Sequence, residues 1–174
     1  MEKWKGSRLW LLAGIPGAGK TTWIANHENF FANDYEVVSR DKIRFSLLED
    51  GESYFSKEKK VWQEYVYEAS YSLIRNTDTI LDATHLNEAS RGKILRALKE
   101  YLNGVEVNII FFNVPLEVAI ERNNKREGRA YVPEEAIRRM HSQMTLPTLE
   151  EGFSHIYIYE EENGKVKYQI IEKR

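Results

Sequence analysis

The stretch Gly14-Ile15-Pro16-Gly17-Ala18-Gly19-Lys20-Thr21 decides the fold that the sequence predicts. It matches G-x-x-x-x-G-K-[ST], in which glycines let backbone N–H groups curl around phosphate oxygens at the positive end of a helix. The apolar run at residues 8–13 predicts a strand before it, and residues 21–26 predict a helix after it. These flanking elements are the ones that the motif requires, which disfavours an accidental glycine-rich turn. The stretch therefore predicts nucleotide binding.

Individual roles follow from the chemistry of this phosphate loop. Lys20 would reach the β- and γ-phosphates and act in catalysis, and the Thr21 hydroxyl would take a Mg²⁺ position. ATP and Mg²⁺ are the expected cofactors. The motif alone does not separate kinases from GTPase switches or motor ATPases. The predicted nucleotide-binding residues of the loop are Gly14, Gly17, Ala18, Gly19, Lys20, Thr21 and Thr22.

Strands and helices alternate along the rest of the chain. Further strands are predicted at residues 35–39, 79–83, 105–112, 155–159 and 165–171, and further helices at 42–48, 57–75, 89–102, 116–125 and 133–144. Asn163-Gly164 between the last two strands is a strong hairpin signal. The pattern predicts an α/β fold with a mostly parallel central sheet flanked by helices, a helical lid and a C-terminal β-hairpin.

The segment Ser39-Arg40-Asp41-Lys42-Ile43-Arg44 follows the second predicted strand. In the first turn of a helix, Asp41 and Arg44 would share one face. That face borders the position where ligands bind in open α/β sheets. Asp41 is predicted to take the proton of an attacking hydroxyl, and Arg44 to hold an acceptor phosphate. The alternative makes Asp41 the N-cap of the helix and Arg44 a solvated charge.

Polar residues also end the third predicted strand, in Asp82-Ala83-Thr84-His85-Leu86-Asn87. Asp82 would orient the Mg²⁺ shell, as a carboxylate after a strand does in other P-loop enzymes. Thr84 and Asn87 would contact the acceptor. The alternative is a turn stabilised by hydrogen bonds from side chains to the backbone, and a single histidine such as His85 is more often structural.

A basic segment lies between the last two predicted helices. Like charges at Arg122 and Arg126 oppose helix stability by roughly 0.2 to 0.5 kcal/mol, so stability does not explain the pair. A bound polyphosphate would explain it. Gly128 would allow a lid motion that brings these cations, with Arg129, onto the nucleotide. The alternative is a solvated basic helix end, because cations favour a helix C-terminus.

Length and composition limit the other possibilities. The 174 residues fit a single domain, residues 1–174, and the 42% hydrophobic and 30% charged content is ordinary for a globular protein. The absence of cysteine excludes disulfides and favours a cytoplasmic setting. The apolar run at residues 9–13 is too short for a membrane span, so no membrane partner is expected. A net charge of -2 is unlike that of proteins that coat nucleic acid, although gripping one strand end neutralises few phosphates.

Four segments together resemble the 5′-kinase domain of bacteriophage-type polynucleotide kinases, within the AAA-type P-loop kinase family. They are GIPGAGKTT, SRDKIR, DATHLN and RNNKREGRAYVPEEAIRRM. The R-D-x-x-R element and the arginine lid followed by Val-Pro discriminate better than the phosphate loop does. The chain departs from the pattern D-T-N-L-N after the third strand, and it has one extra residue between Arg126 and Val132.

This resemblance implies a role for each matching residue. Lys20 and Thr21 would bind the ATP phosphates and Mg²⁺. Asp41 would be the general base for a 5′-hydroxyl, and Arg44 would hold the acceptor's 3′-phosphate. Arg122 and Arg126 match lid arginines that contact the nucleotide, and Arg126 is the better candidate for stabilising the transferring phosphoryl group.

Three functions remain open at this point. The first is an ATP- and Mg²⁺-dependent kinase whose partner is the 5′-hydroxyl end of RNA or DNA. The second is a kinase of the same fold acting on a small hydroxyl compound, such as a nucleoside, sugar or antibiotic. The third is a nucleotide-binding module without acceptor chemistry. Asp41 beside Arg44 argues against the third, because a switch that hydrolyses with water has little need of an acceptor clamp.

Overall fold

A computed structural model describes residues 6–31 and 34–174 of the chain. Its sheet has six strands in the order β2-β3-β1-β4-β5-β6. The strands from β1 to β5 run parallel, and β6 is antiparallel to β5. Their bounds are β1 Arg8–Ala13, β2 Tyr35–Ser39, β3 Asp78–Asp82, β4 Glu106–Asn113, β5 His155–Glu162 and β6 Lys165–Glu172. The predicted α/β fold with a mostly parallel sheet is confirmed.

Within the residues that the structure describes, six α-helices flank the sheet. They are α1 Lys20–Asn26, α2 Arg40–Leu47, α3 Glu58–Ile74, α4 Glu88–Ala97, α5 Leu116–Asn124 and α6 Glu134–Ser142. The single helix predicted over residues 89–102 is wrong at its end, since α4 stops at Ala97. The chain then tightens into a 3₁₀ turn, in which the Tyr101 N–H donates to the Leu98 carbonyl at 2.8 Å. None of the helices described here is both long and apolar enough to cross a bilayer.

Strand β1 lies at the centre of the core. Its side chains alternate between two buried clusters, as the pleat of a strand requires. Leu9 and Leu11 join the cluster that includes α3 and α4 residues, and Trp10 and Leu12 join the cluster that includes α1, α5 and α6 residues. A strand buried on both faces explains the continuous apolar run that the sequence shows before the phosphate loop.

The topology brings the phosphate loop, the start of α2 and the segment after β3 to the carboxyl ends of neighbouring strands. The chain passes from β3 to β4 across β1, which lies between them, so the carboxyl end of β1 is a switch point where ligands bind in such sheets. The register places Asp82 level with both Leu12 and Ser39. The phosphate loop, α2 and the segment after β3 therefore begin side by side.

The predicted C-terminal hairpin is confirmed. The ladder between β5 and β6 continues to the pair Glu162 and Lys165, which leaves a turn of two residues. Asn163 has φ 51° and Gly164 has φ 75°. Two successive positive φ angles are typical of the type I′ turn, which asparagine and glycine tolerate best.

One buried ion pair fixes α4 to the segment before β5. The Arg91 side chain is fully buried and donates from Nε and Nη2 to the Glu151 carboxylate at 2.7 and 3.2 Å. Its Nη1 donates to the carbonyls of His85 and Thr145 at 3.1 and 3.0 Å. Arg91 therefore satisfies acceptors from three segments of the chain.

We expect Arg91→Met to lower the free energy of unfolding by about 3 to 5 kcal/mol, because Glu151 would be left buried without its partner. Urea denaturation would measure the change. The double variant Arg91→Met/Glu151→Leu is the matched control and should recover part of the loss. A single variant within 0.5 kcal/mol of wild type, on the order expected for surface substitutions, would contradict this account.

Candidate active site

The phosphate loop requires glycine at two positions. At Gly17, with φ +84°, a Cβ atom would overlap the carbonyl oxygen of Ala119 in α5. Gly19 has φ 91° and is the N-cap of α1. Neither conformation suits a larger residue, so the glycine spacing of the motif follows from the backbone path. The first turn of α1 has no side-chain cap, which suits an anionic ligand at that end.

Backbone hydrogen bonds from Gly14 and Ala18 stabilise the phosphate loop. The Gly14 N–H donates to the Thr84 carbonyl at 2.8 Å, and the Ala18 N–H donates to the Ile15 carbonyl at 3.1 Å. The Lys20 ammonium donates to the carbonyls of Gly14 and Ile15 at 2.7 and 3.1 Å. The predicted loop residues that line the adjoining cleft are Gly17, Gly19, Lys20, Thr21 and Thr22.

Asp82 lies directly beside the phosphate loop. The Thr21 hydroxyl donates to Asp82 Oδ2 at 3.1 Å. Burial raises the pKa of Asp82 and lowers the pKa of Lys20, while the attraction between the two opposite charges opposes both shifts. The hydroxyl and the carboxylate offer the oxygen ligands that Mg²⁺ prefers. No cluster of three metal-ligating side chains occurs among the described residues, so a Mg²⁺ ion here would take its other ligands from phosphates and water.

Ser39, and not Asp41, caps helix α2. The Ser39 Oγ accepts the Lys42 N–H at 3.3 Å, and Ser39 has an extended backbone with φ -100° and ψ 117°. Helix α2 thus begins at Arg40, two residues before the predicted start. The interpretation of Asp41 as the N-cap is therefore wrong, because Asp41 lies within the first turn, where its side chain is available for other contacts.

Arg44 is buried within a network of polar and aromatic groups. Its Nη1 donates to the Asp41 carboxylate and, at 2.8 Å, to the Tyr54 hydroxyl. Its Nε donates to Glu58 Oε1 at 2.8 Å, and its guanidinium carbon lies 4.2 Å from the centre of the Tyr54 ring. Arg44 is only 4% exposed, so the alternative of a solvated charge is wrong.

Tyr54 donates to the same carboxylate oxygen of Asp41 as Arg44 does. Its hydroxyl donates to Asp41 Oδ1 at 2.5 Å. Burial raises the pKa of Tyr54, and the Asp41 charge raises it further, so the phenol stays protonated and remains a donor. Both Tyr54 and Arg44 contact Oδ1, and the Asp41 side chain is half exposed. Within the described part of the chain, Oδ2 makes no hydrogen bond.

Sequence reasoning missed several residues that line this cleft: Arg40, Tyr54, Phe55, Glu58 and Met140. Arg40 Nη2 donates to Glu58 Oε2 at 3.2 Å. Arg40 and Arg44 thus both pair with Glu58, and Arg44 also pairs with Asp41. The charges of two arginines are therefore balanced by two carboxylates. A signal for two of these residues is present in the sequence: the aromatic pair Tyr54-Phe55 lies in the otherwise polar segment 49–56, between two predicted helices.

The lid arginines occupy three different positions. Arg126 lines the cleft, where its charge also lowers the pKa of Lys20. Arg122 Nη1 lies 3.7 Å from the place that a Cβ atom on Gly19 would take, and its Nη2 donates to Glu161 of β5 at 2.5 Å. Arg122 therefore flanks the phosphate loop without lining the cleft.

Arg129 joins the lid segment to the end of α2. Its Nη1 donates to the carbonyls of Phe45 and Leu48 at 3.2 and 3.3 Å, and its Nη2 donates to Asp50 at 2.8 Å. These contacts place it between the segment that carries Arg126 and the helix that carries Asp41.

A family profile for the AAA domain matches residues 9–147. The chain belongs to this family. The matched range contains the phosphate loop, Asp41, Arg44 and the lid arginines. The AAA-type P-loop kinase fold that the sequence predicts is confirmed, and the finer resemblance to bacteriophage-type polynucleotide kinases stays a prediction.

Three other proteins are similar to this AAA domain. A chain of the Pnkp1/Rnl/Hen1 RNA repair complex is 25% identical with a TM-score of 0.66, over 79% of this chain and 44% of that chain. A sugar kinase from Janibacter sp. HTCC2649 is 16% identical with a TM-score of 0.59, over 88% and 85% of the two chains, which shows the fold alone. The 15-cis-zeta-carotene isomerase of Arabidopsis thaliana is 38% identical over 56 residues, 29% of this chain and 15% of that protein. The chain thus spans less than half of the repair-complex chain.

The segment after β3 divides between the cleft and the core of the AAA domain. Thr84 lines the cleft. Asn87 is not among the lining residues, because its Oδ1 accepts the Ser90 N–H at 3.0 Å and caps α4 in a capping box. For Asn87, the turn stabilised by side-chain hydrogen bonds is therefore the better description.

His85 joins β1 to α3 within the core. Burial lowers its pKa to about 4, so the ring is neutral at pH 7. Its Nδ1 lies 2.5 Å from the Leu12 carbonyl, and its Nε2 lies 3.0 Å from the Tyr65 hydroxyl. A neutral ring that donates from Nδ1 and accepts at Nε2 satisfies both contacts. Both ring nitrogens are thus engaged, as expected of a structural histidine.

Proposed function

We propose that this AAA domain transfers the γ-phosphate of ATP to the 5′-hydroxyl of a nucleic acid end. The observation that carries the proposal is a single cleft that contains Lys20 of the phosphate loop, Asp41 and Arg44. The Asp41 charge is close enough to Lys20 to oppose the lowering of the Lys20 pKa by burial. A hydroxyl that meets Asp41 in this cleft would therefore lie next to phosphates held by the loop.

On the nucleotide side, the loop residues Lys20, Thr21 and Thr22 would hold the ATP phosphates. Thr21 and Asp82 would hold Mg²⁺, which neutralises charge on the β- and γ-phosphates when it is bound. Arg126 would stabilise the charge that develops on the transferring group, because it lines the same cleft. Arg122 would contact the nucleotide from the flank of the loop.

On the acceptor side, Asp41 would take the proton of the attacking hydroxyl at Oδ2. A bond forms between the acceptor oxygen and the γ-phosphorus, the bond to the β-phosphate oxygen breaks, and ADP leaves. Tyr54 and Arg44 fix Oδ1, so the carboxylate needs no reorientation as the reaction proceeds. Thr84 lines the cleft at a position suited to an acceptor contact.

Two considerations support a nucleic acid end as the acceptor. The repair-complex chain is similar over 79% of this chain. Arg44 Nη2 makes no hydrogen bond within the part of the chain that the structure describes, so it remains able to bind an acceptor phosphate. An arginine that another residue already positions loses less conformational entropy when it binds a phosphate.

A kinase of a small, uncharged hydroxyl compound is the second candidate. The observation that favours it is the balance of charge, since Asp41 and Glu58 already compensate Arg40 and Arg44. A compensated arginine attracts a phosphate less strongly than a free one does. Incubation with γ-labelled ATP and separate 5′-hydroxyl oligonucleotides, nucleosides and sugars distinguishes the candidates. We expect the oligonucleotide to have the highest kcat/KM, and a higher value for a sugar would favour the second candidate.

Arg44→Ala should lower kcat/KM about ten- to a hundredfold for a nucleoside 3′-phosphate, because a hydrogen bond to a charged group contributes roughly 1.5 to 3 kcal/mol. Wild type should prefer the nucleoside 3′-phosphate over the bare nucleoside, and the variant should lose most of that preference. The KM for ATP should change little. Steady-state kinetics with both acceptors would measure these effects.

The use of two acceptors separates two roles of Arg44. The guanidinium also holds Asp41, so some loss on the bare nucleoside is expected as well. An equal loss on both acceptors would show that Arg44 only positions Asp41, the general base. That result would contradict the proposal that Arg44 binds the acceptor's 3′-phosphate.

A further inference from the structure

The segment that joins α2 to α3 presents an aromatic ring to the acceptor side of the cleft. Phe55 lies in this segment, lines the cleft and is 46% exposed. It belongs to neither buried core cluster. Phe55 is thus a partly exposed aromatic ring in the same cleft as the candidate catalytic carboxylate.

The surrounding contacts hold this ring in place. Phe55 packs edge to face on Tyr54, with ring centres 4.7 Å apart and an angle of 82° between the planes. The Arg44 guanidinium carbon lies 6.0 Å from the Phe55 ring centre. Lys57 closes the segment by donating to the Leu47 carbonyl at 2.7 Å and pairing with Glu52 at 3.2 Å. Tyr54 in turn is fixed by its hydrogen bond to Asp41.

From this arrangement we propose that Phe55 is a stacking platform for the base of the acceptor's terminal nucleoside. The inference rests on the proposed 5′-kinase function. With its 5′-hydroxyl at Asp41 and its 3′-phosphate at Arg44, the acceptor's terminal nucleotide would be fixed at two points. Its base would then lie along the wall of the cleft next to these two residues. Phe55 provides an accessible aromatic face on that wall. Every base has a π-face, so such a platform selects for a base without selecting its identity.

The experiment compares two oligonucleotides that differ only in the 5′-terminal residue, which carries either a base or an abasic sugar analogue with the same 5′-hydroxyl. We expect wild type to prefer the base-bearing end about tenfold in kcat/KM, mostly through KM, as the measured strength of stacking on aromatic side chains indicates. Phe55→Leu should use both ends with nearly equal efficiency. Phe55→Tyr should retain the preference, and the KM for ATP should change in neither variant.

Tyr67→Leu is the matched control. Tyr67 is 63% exposed and stacks on Tyr71 on the surface of α3, and it does not line the cleft. This variant removes an exposed aromatic ring of similar size and should keep the wild-type preference. The melting temperatures of all variants would be measured alongside, to show that each is folded.

The outcomes separate this inference from the function on which it rests. Equal use of both ends by wild type, or an equal loss on both ends in Phe55→Leu, would overturn the platform and leave the 5′-kinase function standing. If neither oligonucleotide is phosphorylated while a small hydroxyl compound is, the proposed function fails and the platform fails with it.

Discussion

Replacing Lys20 with alanine is expected to abolish phosphoryl transfer. The Lys20 ammonium is the cation of the phosphate loop, and the charges of Asp82 and Asp41 oppose the lowering of its pKa by burial. Without it, negative charge that develops on the transferring group loses its cationic partner in the loop. Loss of a single such donor costs about 10² to 10³ in kcat, and a central cation should cost at least that much.

Transfer from γ-labelled ATP measures this effect, and nucleotide binding should be measured in parallel. We expect the backbone of the loop to keep part of the affinity for ATP, because its N–H groups remain in place. Lys60→Ala is a suitable control, since Lys60 is an exposed lysine on α3. Turnover near the wild-type rate in Lys20→Ala would defeat the assignment of the phosphate loop to catalysis.

Asp41→Asn should lower kcat by about 10² to 10⁴ with little change in melting temperature. The amide keeps the size of the carboxylate and can still accept hydrogen bonds from Tyr54 and Arg44, but it cannot take a proton from the acceptor. Stability should hold because Ser39 supplies the helix cap.

Ser39→Ala should have the opposite effect to Asp41→Asn, with a loss of stability and little loss of activity. Loss of the cap should lower stability by about 1 kcal/mol, while the groups proposed for chemistry remain. Calorimetry together with single-turnover kinetics would separate the two effects. An Asp41→Asn variant that keeps its activity and loses stability would show that Asp41 acts only in the structure.

The sequence predicted the order of the strands and helices. This succeeded because a strand buried on both faces and a glycine-rich loop leave local signals, as in Arg8–Ala13 and the loop that follows it. Ser39 was missed as the cap because serine and aspartate are both favoured at that position, and only the backbone angles decide between them. The cap that Asn87 forms on α4 could not be predicted for the same reason, since a polar residue after a strand suits either a cap or a ligand contact.

The contacts of the acceptor side could not be predicted, because they join residues that are distant in the sequence. Arg44 meets Glu58 and Tyr54 only after α2 and α3 have packed together. Arg129 likewise reaches Phe45 and Asp50 across 84 and 79 positions of the chain. No local periodicity encodes such pairs. The sequence therefore indicates which residues are candidates for catalysis and binding. It does not indicate which hydrogen bonds and ion pairs these residues form with one another.

The central claim is that this AAA domain phosphorylates 5′-hydroxyl ends, and locating the transferred label tests it most directly. A 5′-hydroxyl oligonucleotide would be incubated with γ-labelled ATP and Mg²⁺, and the product would then be digested to nucleotides. We expect label in the 5′-terminal nucleotide as a phosphomonoester, and about a hundredfold less label, or lower still, with Asp41→Asn over the same time. Label released only as inorganic phosphate, or carried only by a small hydroxyl compound in a parallel reaction, would contradict it.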